Sequence, residues 1–479
     1  MSEKDCMSEK DYEVIVIGGG SGGYAAGNFL QDAGVKVALI DSADELGGLC
    51  ILRGCMPSKS IIESAKRYEA IKEAAEFGIH VSEASIDIEK VMQRKKVLID
   101  DFKGYRQKQL TDGRFELFRG KAAFTDSHTV SIQMNDGSEK SISAKAFVIA
   151  TGSSVFVPEI DGLKDAGYLT SRDVLESNSI PKSITVLGGG AIALELAYFY
   201  AACDTEVTVI QRSEQILSNM DRDIADEAQA ALEEVGIKFF CGTDISKVSA
   251  SDGKKVVEFS HDGKTVSVSS DEILCALGRS PNTANLGCDA AGLDLNRGKL
   301  VVDLTMQTNQ THIYAAGDVC SPLDVVHLAI AQGEAAAQNI LNQLKDNTDV
   351  KPETVDYSLS LYGIFTEPQI AAVGLSEAEA KDQGIDYATA SYPFNDHGKS
   401  MVHGSKHGFV KLMVDKKSNK IIGGSVIGPE AVELIHEIVV AMSFGATAKQ
   451  LLHIPHYHPT LSEIWTYPAE DLAEHLAEI

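Results

Sequence analysis

A strand that runs into a glycine-rich turn and on into a helix occurs twice in this chain. That recurrence limits the possible folds more than any other feature. The first copy is YEVIVIGGGSGGYAAGNFLQDAGVKVALIDS. An apolar strand over 13–17 meets Gly18-x-Gly20-x-x-Gly23, a helical stretch rich in alanine follows, and a strand over 35–40 ends at Asp41. The second copy is SITVLGGGAIALELAYFYAACDTEVTVIQRS, with a strand at 184–187, Gly188-x-Gly190-x-x-Ala193, a helix, and a strand at 206–210. A lone glycine triplet says little. One that follows a strand, opens a helix and is answered about 20 residues on by an acid is a dinucleotide-binding fingerprint. The first glycine allows the tight turn, the second lets a pyrophosphate approach, and the third lets helix and strand pack closely. The helix N-terminus faces the phosphates, and Asp41 can accept bonds from a ribose. Two such units, 170 positions apart, imply two nucleotides on one chain.

The units end differently. Where the first has Asp41, the second has Gln211 and Arg212. An acid suits a free 2′-hydroxyl, whereas its absence beside an arginine suits a 2′-phosphate, so NADPH is favoured over NADH. A solvated surface arginine is the other reading of Arg212. Between and after these units, VIATGS (148–153) and ILCALGRSPNT (273–283) read as apolar strands ending in glycine turns. IYAAGDVC (313–320) ends at Gly317 and Asp318, where an acid either bonds a ligand hydroxyl or caps the next helix. From about 350 the texture changes. GFVKLMVDKKSNKIIGGSVIG alternates like a hairpin around Ser418-Asn419, and AVELIHEIVVAMSFGA has helical period. HIPHYHPTLSEIW follows, with no nucleotide fingerprint, so this part reads as a separate α+β domain.

A length of 479 residues predicts two to four domains. The net charge of −26 disfavours nucleic acid and anionic membranes as partners. No apolar run reaches the ~18 residues of a membrane span. The start, MSEKDCMSEKDYE, is acidic, lacks an apolar signal core and repeats MSEKD at 1–5 and 7–11, so it is expected to fray and the location to be cytoplasmic. There are eight cysteines, two of them five positions apart in GGLCILRGCMPSK (47–59). In a reducing cytosol such a pair is more readily catalytic or metal-binding than structural.

Taken in order, these pieces resemble the FAD-dependent pyridine nucleotide–disulfide oxidoreductases, from Tyr12 to about Thr466. The resemblance implies that Cys50 and Cys55 form a redox-active disulfide against the flavin. Cys50 would exchange with the sulfur substrate and Cys55 would form the charge-transfer thiolate. Five residues of regular helix rise ~7.5 Å, beyond the ~4.4–6.8 Å that disulfide Cα atoms usually keep. The pair therefore requires a distorted or barely begun helix; Gly54 permits the distortion, and Pro57 fits only a first turn. Cys55 near the helix start favours thiolate.

Lys59 and Glu195 match a pair that relatives place beside the flavin N5. In HYHPTLSE, the resemblance makes His458 the general acid/base and Glu463 its orienting carboxylate, donated by the partner subunit of a homodimer. It assigns further FAD or nucleotide contacts to Gly48, Gly120, Ala122, Thr151, Gly152, Gly278, Gly317, Asp318 and Val326. A metal site at His453, His456 and His458 is set aside, because the Pro-Thr-x-x-Glu continuation fits a base better, and no metal is expected.

The chain departs from the pattern at Leu49 and Leu52, at Arg53 and at Ala191, where glutathione reductase has a tyrosine that gates the nicotinamide. No cysteine follows Cys320, which argues against mercury reduction. Pro-Ser-Lys and His-Pro-Thr-Leu-Ser-Glu are nearest to the dihydrolipoamide dehydrogenase branch, while Gln211-Arg212 points to an NADPH-dependent, glutathione reductase-like enzyme. A flavin NAD(P)H oxidase would need neither the cysteine pair nor His458. The expected architecture is α/β: two Rossmann-like domains, for FAD (1–153 with 279–349) and for NAD(P) (154–278), and a C-terminal α+β dimerisation domain (350–479).

Overall fold

The computed structural model describes residues 10–347 and 349–477, so most of the doubled start lies outside the described residues. The elements that carry the argument begin with β1 (Tyr12–Ile17), α1 (Ser21–Asp32), β2 (Val37–Asp41), α2 (Gly48–Arg53), α3 (Cys55–Lys72) and α4 (Ile88–Thr111). Then come β3 (Glu116–Asp126), β4 (Thr129–Met134), β5 (Glu139–Ile149), β6 (Ser183–Leu187), α5 (Ala191–Ala202), β7 (Glu206–Ile210) and β8 (Lys238–Phe240). A meander β9 (Asp244–Ser251), β10 (Lys254–His261) and β11 (Lys264–Ser270) leads to β12 (Glu272–Cys275), β13 (Ile313–Ala315) and α6 (Val326–Leu344). The last part holds β14 (Leu361–Ile364), β15 (Gln369–Gly374), β16 (Tyr387–Pro393), α7 (Gly398–Val402), β17 (Phe409–Asp415) and β18 (Ile421–Gly428). Three helices finish it: α8 (Ala431–Ser443), α9 (Ala448–His453) and α10 (Thr466–Ala477).

The chain forms two compact units. The first takes the described residues up to Pro57, then Arg94–Val155 and Arg279–Asp356. In it β1 pairs in parallel with β2 and with β5, β2 with β3, and β5 with β13. Strands covered on both faces need continuous apolar runs, which VIVI and VALI supply. β3 and β5 outrun the parallel sheet, and β4 pairs with their projecting lengths in an antiparallel meander. Ile15, Ile40, Phe118, Phe147 and Ile313 lie in its core. The strand expected from residue 35 starts at Val37. Gly34 takes φ +81° and the amides of Gly34 and Val35 bond back to the carbonyls of Gln31 and Leu30, so those residues close α1 instead.

The second unit takes Ser58–Gln93, Phe156–Gly278 and the chain from Tyr357 onward. β12, β6, β7 and β8 form a parallel sheet in that order, again with a Rossmann-like crossover through α5. The C-terminal sheet is antiparallel, ordered β14, β15, β18, β17, β16. β17 and β18 pair as the expected hairpin, with Asn419 at φ +59° in its turn. Trp465, fully buried, packs there with Phe394, Ile438 and Leu451. Among the described residues no helix is long and apolar enough to cross a membrane.

Candidate active site

The first glycine turn is shaped by close approach. A Cβ on Gly18 (φ +106°) would meet the Ala150 carbonyl oxygen at 2.2 Å, and one on Gly23 would meet that of Gly18 at 1.9 Å. A Cβ on Gly48 would lie 2.8 Å from the Gly20 Cα. Gly20 itself has no neighbour within 4 Å of its Cβ position, and it caps α1 with no side-chain bond. The first amides of α1 therefore have neither a capping side chain nor a filled space before them, which fits a pyrophosphate. Asp41 closes the turn from β2: Oδ2 accepts the Gly19 N–H at 2.8 Å, and Oδ1 accepts the Ala43 N–H at 2.8 Å. Each oxygen keeps a lone pair for a ribose hydroxyl.

Around this turn the unit is laced by residues that local pattern did not single out. The Arg279 guanidinium donates to the Ser153 hydroxyl and carbonyl, both at 2.7 Å, and Ser153 in turn donates to Asp318. Thr151 and Asn282 exchange two bonds, and the Gly317 N–H donates to the fully buried Gln332 at 2.8 Å. Asp318 is not a helix cap, since Val325 holds that place and Val326 opens α6. Gly152 has φ +67°. Gly120 gives way to the Gln133 carbonyl, and Ala122 lies in the core, so only their backbone could meet a cofactor.

The helix holding the cysteines is broken, as their spacing requires. Cys50 lies in α2, Gly54 leaves helical geometry at φ −134°, ψ −113°, and Cys55 is the first residue of α3. Pro57 sits in the first turn of α3, where its missing N–H costs nothing. Both cysteines are half-buried. Arg106 of α4 stacks over Tyr24 at 3.9 Å and lies within electrostatic reach of Cys50, although burial lowers its pKa. Arg53 makes no ion pair among the described residues.

In the second unit, a Cβ on Gly188 (φ +111°) would meet the Ala276 carbonyl at 2.4 Å. Gly190 caps α5 with no side-chain bond and, like Gly20, has open space at its Cβ position. Ala191 opens the helix, Ala193 is buried, and Gly278 at φ +114° also borders open space. Gln211, just past β7, lies against Gly189, whose added Cβ would be 3.2 Å from it. Arg212 is exposed, and among the described residues no carboxylate pairs with it. Four residues beyond Cys55 on α3, Lys59 reaches the buried Glu195 of α5, its Nζ 2.9 and 2.8 Å from the two carboxylate oxygens. The Phe365 N–H also donates to Glu195, at 3.0 Å, and the Phe365 ring lies under the ammonium at 4.6 Å. Burial first, and then Glu195, pushes the Tyr362 hydroxyl up to about 12.

His458 and Glu463 meet as expected. The His458 Nδ1 is 3.1 and 3.0 Å from the two oxygens of Glu463. Glu463 is buried, while the His458 side chain is 79% exposed, so its Nε2 faces away from the chain's own core. His456 bonds Glu437 at 2.6 Å and His453 bonds the Lys449 carbonyl, so the three histidines turn to separate acceptors. A fourth, His397, was not singled out by the sequence. It is fully buried and bonds the same Glu463.

Residues 12–333 match the sequence profile of pyridine nucleotide-disulphide oxidoreductases, and residues 361–469 match that family's dimerisation domain. The chain is 35% identical over 460 residues to a dihydrolipoyl dehydrogenase of Chlorobaculum parvum, covering 95% of this chain and 96% of that protein. It is 33% identical to the dihydrolipoyl dehydrogenase of Geobacillus stearothermophilus, covering 96% and 95%. Among solved structures, the Cu(II) complex of the HOCl-induced flavoprotein disulfide reductase RclA from Escherichia coli superposes with a TM-score of 0.83 at 25% identity. That match covers 96% of this chain and 99% of RclA.

Proposed function

The chain belongs to the class I pyridine nucleotide–disulphide oxidoreductase family, and from that premise we propose how its residues divide the reaction. It is an FAD-dependent NAD(P)H disulfide oxidoreductase of the dihydrolipoamide dehydrogenase kind, and its C-terminal domain supports a homodimer. FAD supplies two-electron exchange between the nicotinamide and a protein disulfide. The domains we assign are FAD-binding over 1–153 and 279–349, NAD(P)-binding over 154–278, and dimer-forming over 350–479.

In the dithiol-oxidising direction, His458 of the partner subunit takes the proton of one substrate thiol through its Nε2. The resulting thiolate attacks the Cys50 sulfur, the Cys50–Cys55 bond breaks, and Cys55 leaves as thiolate near the start of α3. The second substrate thiol then displaces Cys50, giving the substrate disulfide and the Cys50 thiol, with His458 carrying the proton between sulfurs. Glu463 holds the other ring proton on Nδ1, so Nε2 is left as the base. Lys59, held by Glu195, would offer a bound flavin a fixed positive charge, which favours electron transfer onto it. Gly18, Gly20, Gly23, Gly48 and Asp41 hold the dinucleotide, with Thr151, Gly152, Gly317, Asp318 and Val326 contributing along the same unit.

The observation that carries this reading is the break at Gly54, which leaves Cys50 within one short helix and sets Cys55 at the start of the next. For the nicotinamide we infer NADPH, because Gln211 does not repel a 2′-phosphate and the exposed Arg212, which no carboxylate pairs among the described residues, can bind one. The test is a substrate panel of lipoamide, glutathione and CoA disulfides with each nicotinamide, run on the parent, Cys50→Ser, Cys55→Ser and His458→Gln. Both serine variants should lose disulfide turnover. His458→Gln should lose ~10²–10⁴-fold. Comparable disulfide turnover by both serine variants overturns the redox assignment.

A further inference from the structure

We infer that His397 is a positioning residue, which holds the Glu463 carboxylate in the orientation that grips His458, while Ser400 fixes which nitrogen of His397 carries the proton. The inference rests on the reading of His458 as the base. It begins from a chain of four side chains, three of them buried and the last, His458, exposed. The Ser400 Oγ is 2.7 Å from the His397 Nδ1, and the His397 Nε2 is 3.2 Å from the Glu463 Oε1. Glu463 then reaches His458 with both oxygens. His397 and Ser400 are both completely buried. His397 lies between the short helical turn at 394–396 and α7, and Ser400 is in α7, while Glu463 and His458 lie beyond α9. The arrangement is therefore tertiary, brought together over 66 positions.

Proton accounting assigns the roles. An ionised carboxylate only accepts, so the facing nitrogens, Nε2 of His397 and Nδ1 of His458, both carry hydrogen. In a neutral His397 ring the Nδ1 is then an acceptor, and the Ser400 O–H donates to it. Burial supports the neutral ring by lowering its pKa, against the pull of Glu463. The Tyr467 ring closes the site edge-on, 5.9 Å from His397. A neutral donor satisfies Glu463 without spending its negative charge. That charge remains for the imidazolium that His458 becomes when it takes a proton.

The test uses the flavin-loaded dimer. His397→Phe removes the donor and should lower kcat for the disulfide reaction about tenfold or more, the usual worth of a bond to a charged group. KM for the sulfur substrate should hold within about twofold, since His397 does not touch substrate. His397→Gln returns a neutral N–H donor and should recover most of kcat. His397→Phe combined with Glu463→Gln should be no slower than Glu463→Gln alone, because the first acts through the second. A merely structural defect would instead multiply with Glu463→Gln and resist rescue by glutamine. Parental kcat in both His397 variants, or multiplying effects, overturns the inference. If His458→Gln keeps full turnover, the base reading falls and this inference with it. If His458→Gln is inactive while His397→Phe is fully active, only this inference falls.

Discussion

The two nucleotide units share one backbone and use it for opposite purposes. α1 and α5 have 12 residues each and start from glycines in nearly the same conformation, φ −70° and −86°. The side chains along them differ. α1 is stripped down where it meets α6: a Cβ on Gly22 would lie 2.8 Å from the Ala329 carbonyl, and one on Gly333 would lie 2.3 Å from that of Gly22. α5 is buried from Ala193 to Ala202, and within that run it carries one carboxylate, Glu195, paired to Lys59. Thus the first unit uses its helix for close packing, and the second uses the same helix to anchor a charge. The strand ends diverge too. Asp41 spends part of its carboxylate on its own glycine turn, whereas the Gln211 side-chain amide donates a long bond, 3.4 Å, to the Gln215 carbonyl. The two glycine turns therefore share one form, and the units differ in the residues that follow it.

The sharpest way to break this comparison is to exchange the third position of each fingerprint. Gly23→Ala drives a methyl group into the Gly18 carbonyl and should cost ~3 kcal/mol, the upper part of the overpacking range, with loss of bound flavin. Absorbance of the purified variant and its thermal unfolding check this; a yellow protein of parental stability would show that the turn relaxes. Next comes the buried charge. Glu195→Gln should slow turnover about tenfold or more, since Lys59 loses its ion-pair partner and one of its two acceptor oxygens. Stopped-flow reduction by the nicotinamide tests it, and an unchanged rate would reduce Glu195 to a packing residue. At the open corner, Arg212→Ala should remove most of a preference for NADPH that we expect to be at least about tenfold at low salt. Glu214 works against that preference: one residue beyond Ser213, it can repel the phosphate. Steady-state kinetics with both nucleotides decides, and better use of NADH by the parent with no effect of Arg212→Ala would make this arginine a surface charge. The smallest effect belongs to Ala193→Gly, which should cost only the helix propensity difference, ~1 kcal/mol, with activity retained. Denaturant unfolding measures it.

What could be read along the chain is what neighbours in sequence decide. The glycine turns and the apolar strands involve residues within a few positions of each other, where spacing and geometry constrain one another, while the break at Gly54 and the His458–Glu463 pair were legible through the family resemblance. Lys59 and Glu195 stand 136 positions apart, and only the family resemblance joined them. His397 escaped because nothing in NDHGKS repeats or alternates; its meaning comes from Glu463, which reaches it through the packing of the C-terminal sheet and its helices. Arg279 and Gln332 escaped similarly. Each satisfies a carbonyl, hydroxyl or amide in a segment distant in sequence, and such debts appear only when backbone groups are followed to their partners.

The pairing of β13 with β5 bears on the order in which a nascent chain can assemble. Ile313, Tyr314 and Ala315 complete the first sheet against Phe147, Val148 and Ile149. During synthesis the ribosome releases β5 long before β13 exists. At ~5–20 residues per second, the ~160 residues between them take on the order of ten to thirty seconds. Throughout that interval one edge of β5 presents bare amides and carbonyls, and Phe156–Gly278, which belongs to the second unit, emerges before the first unit is complete. A stalled chain ending before residue 313 should therefore be a protease-sensitive, aggregation-prone species.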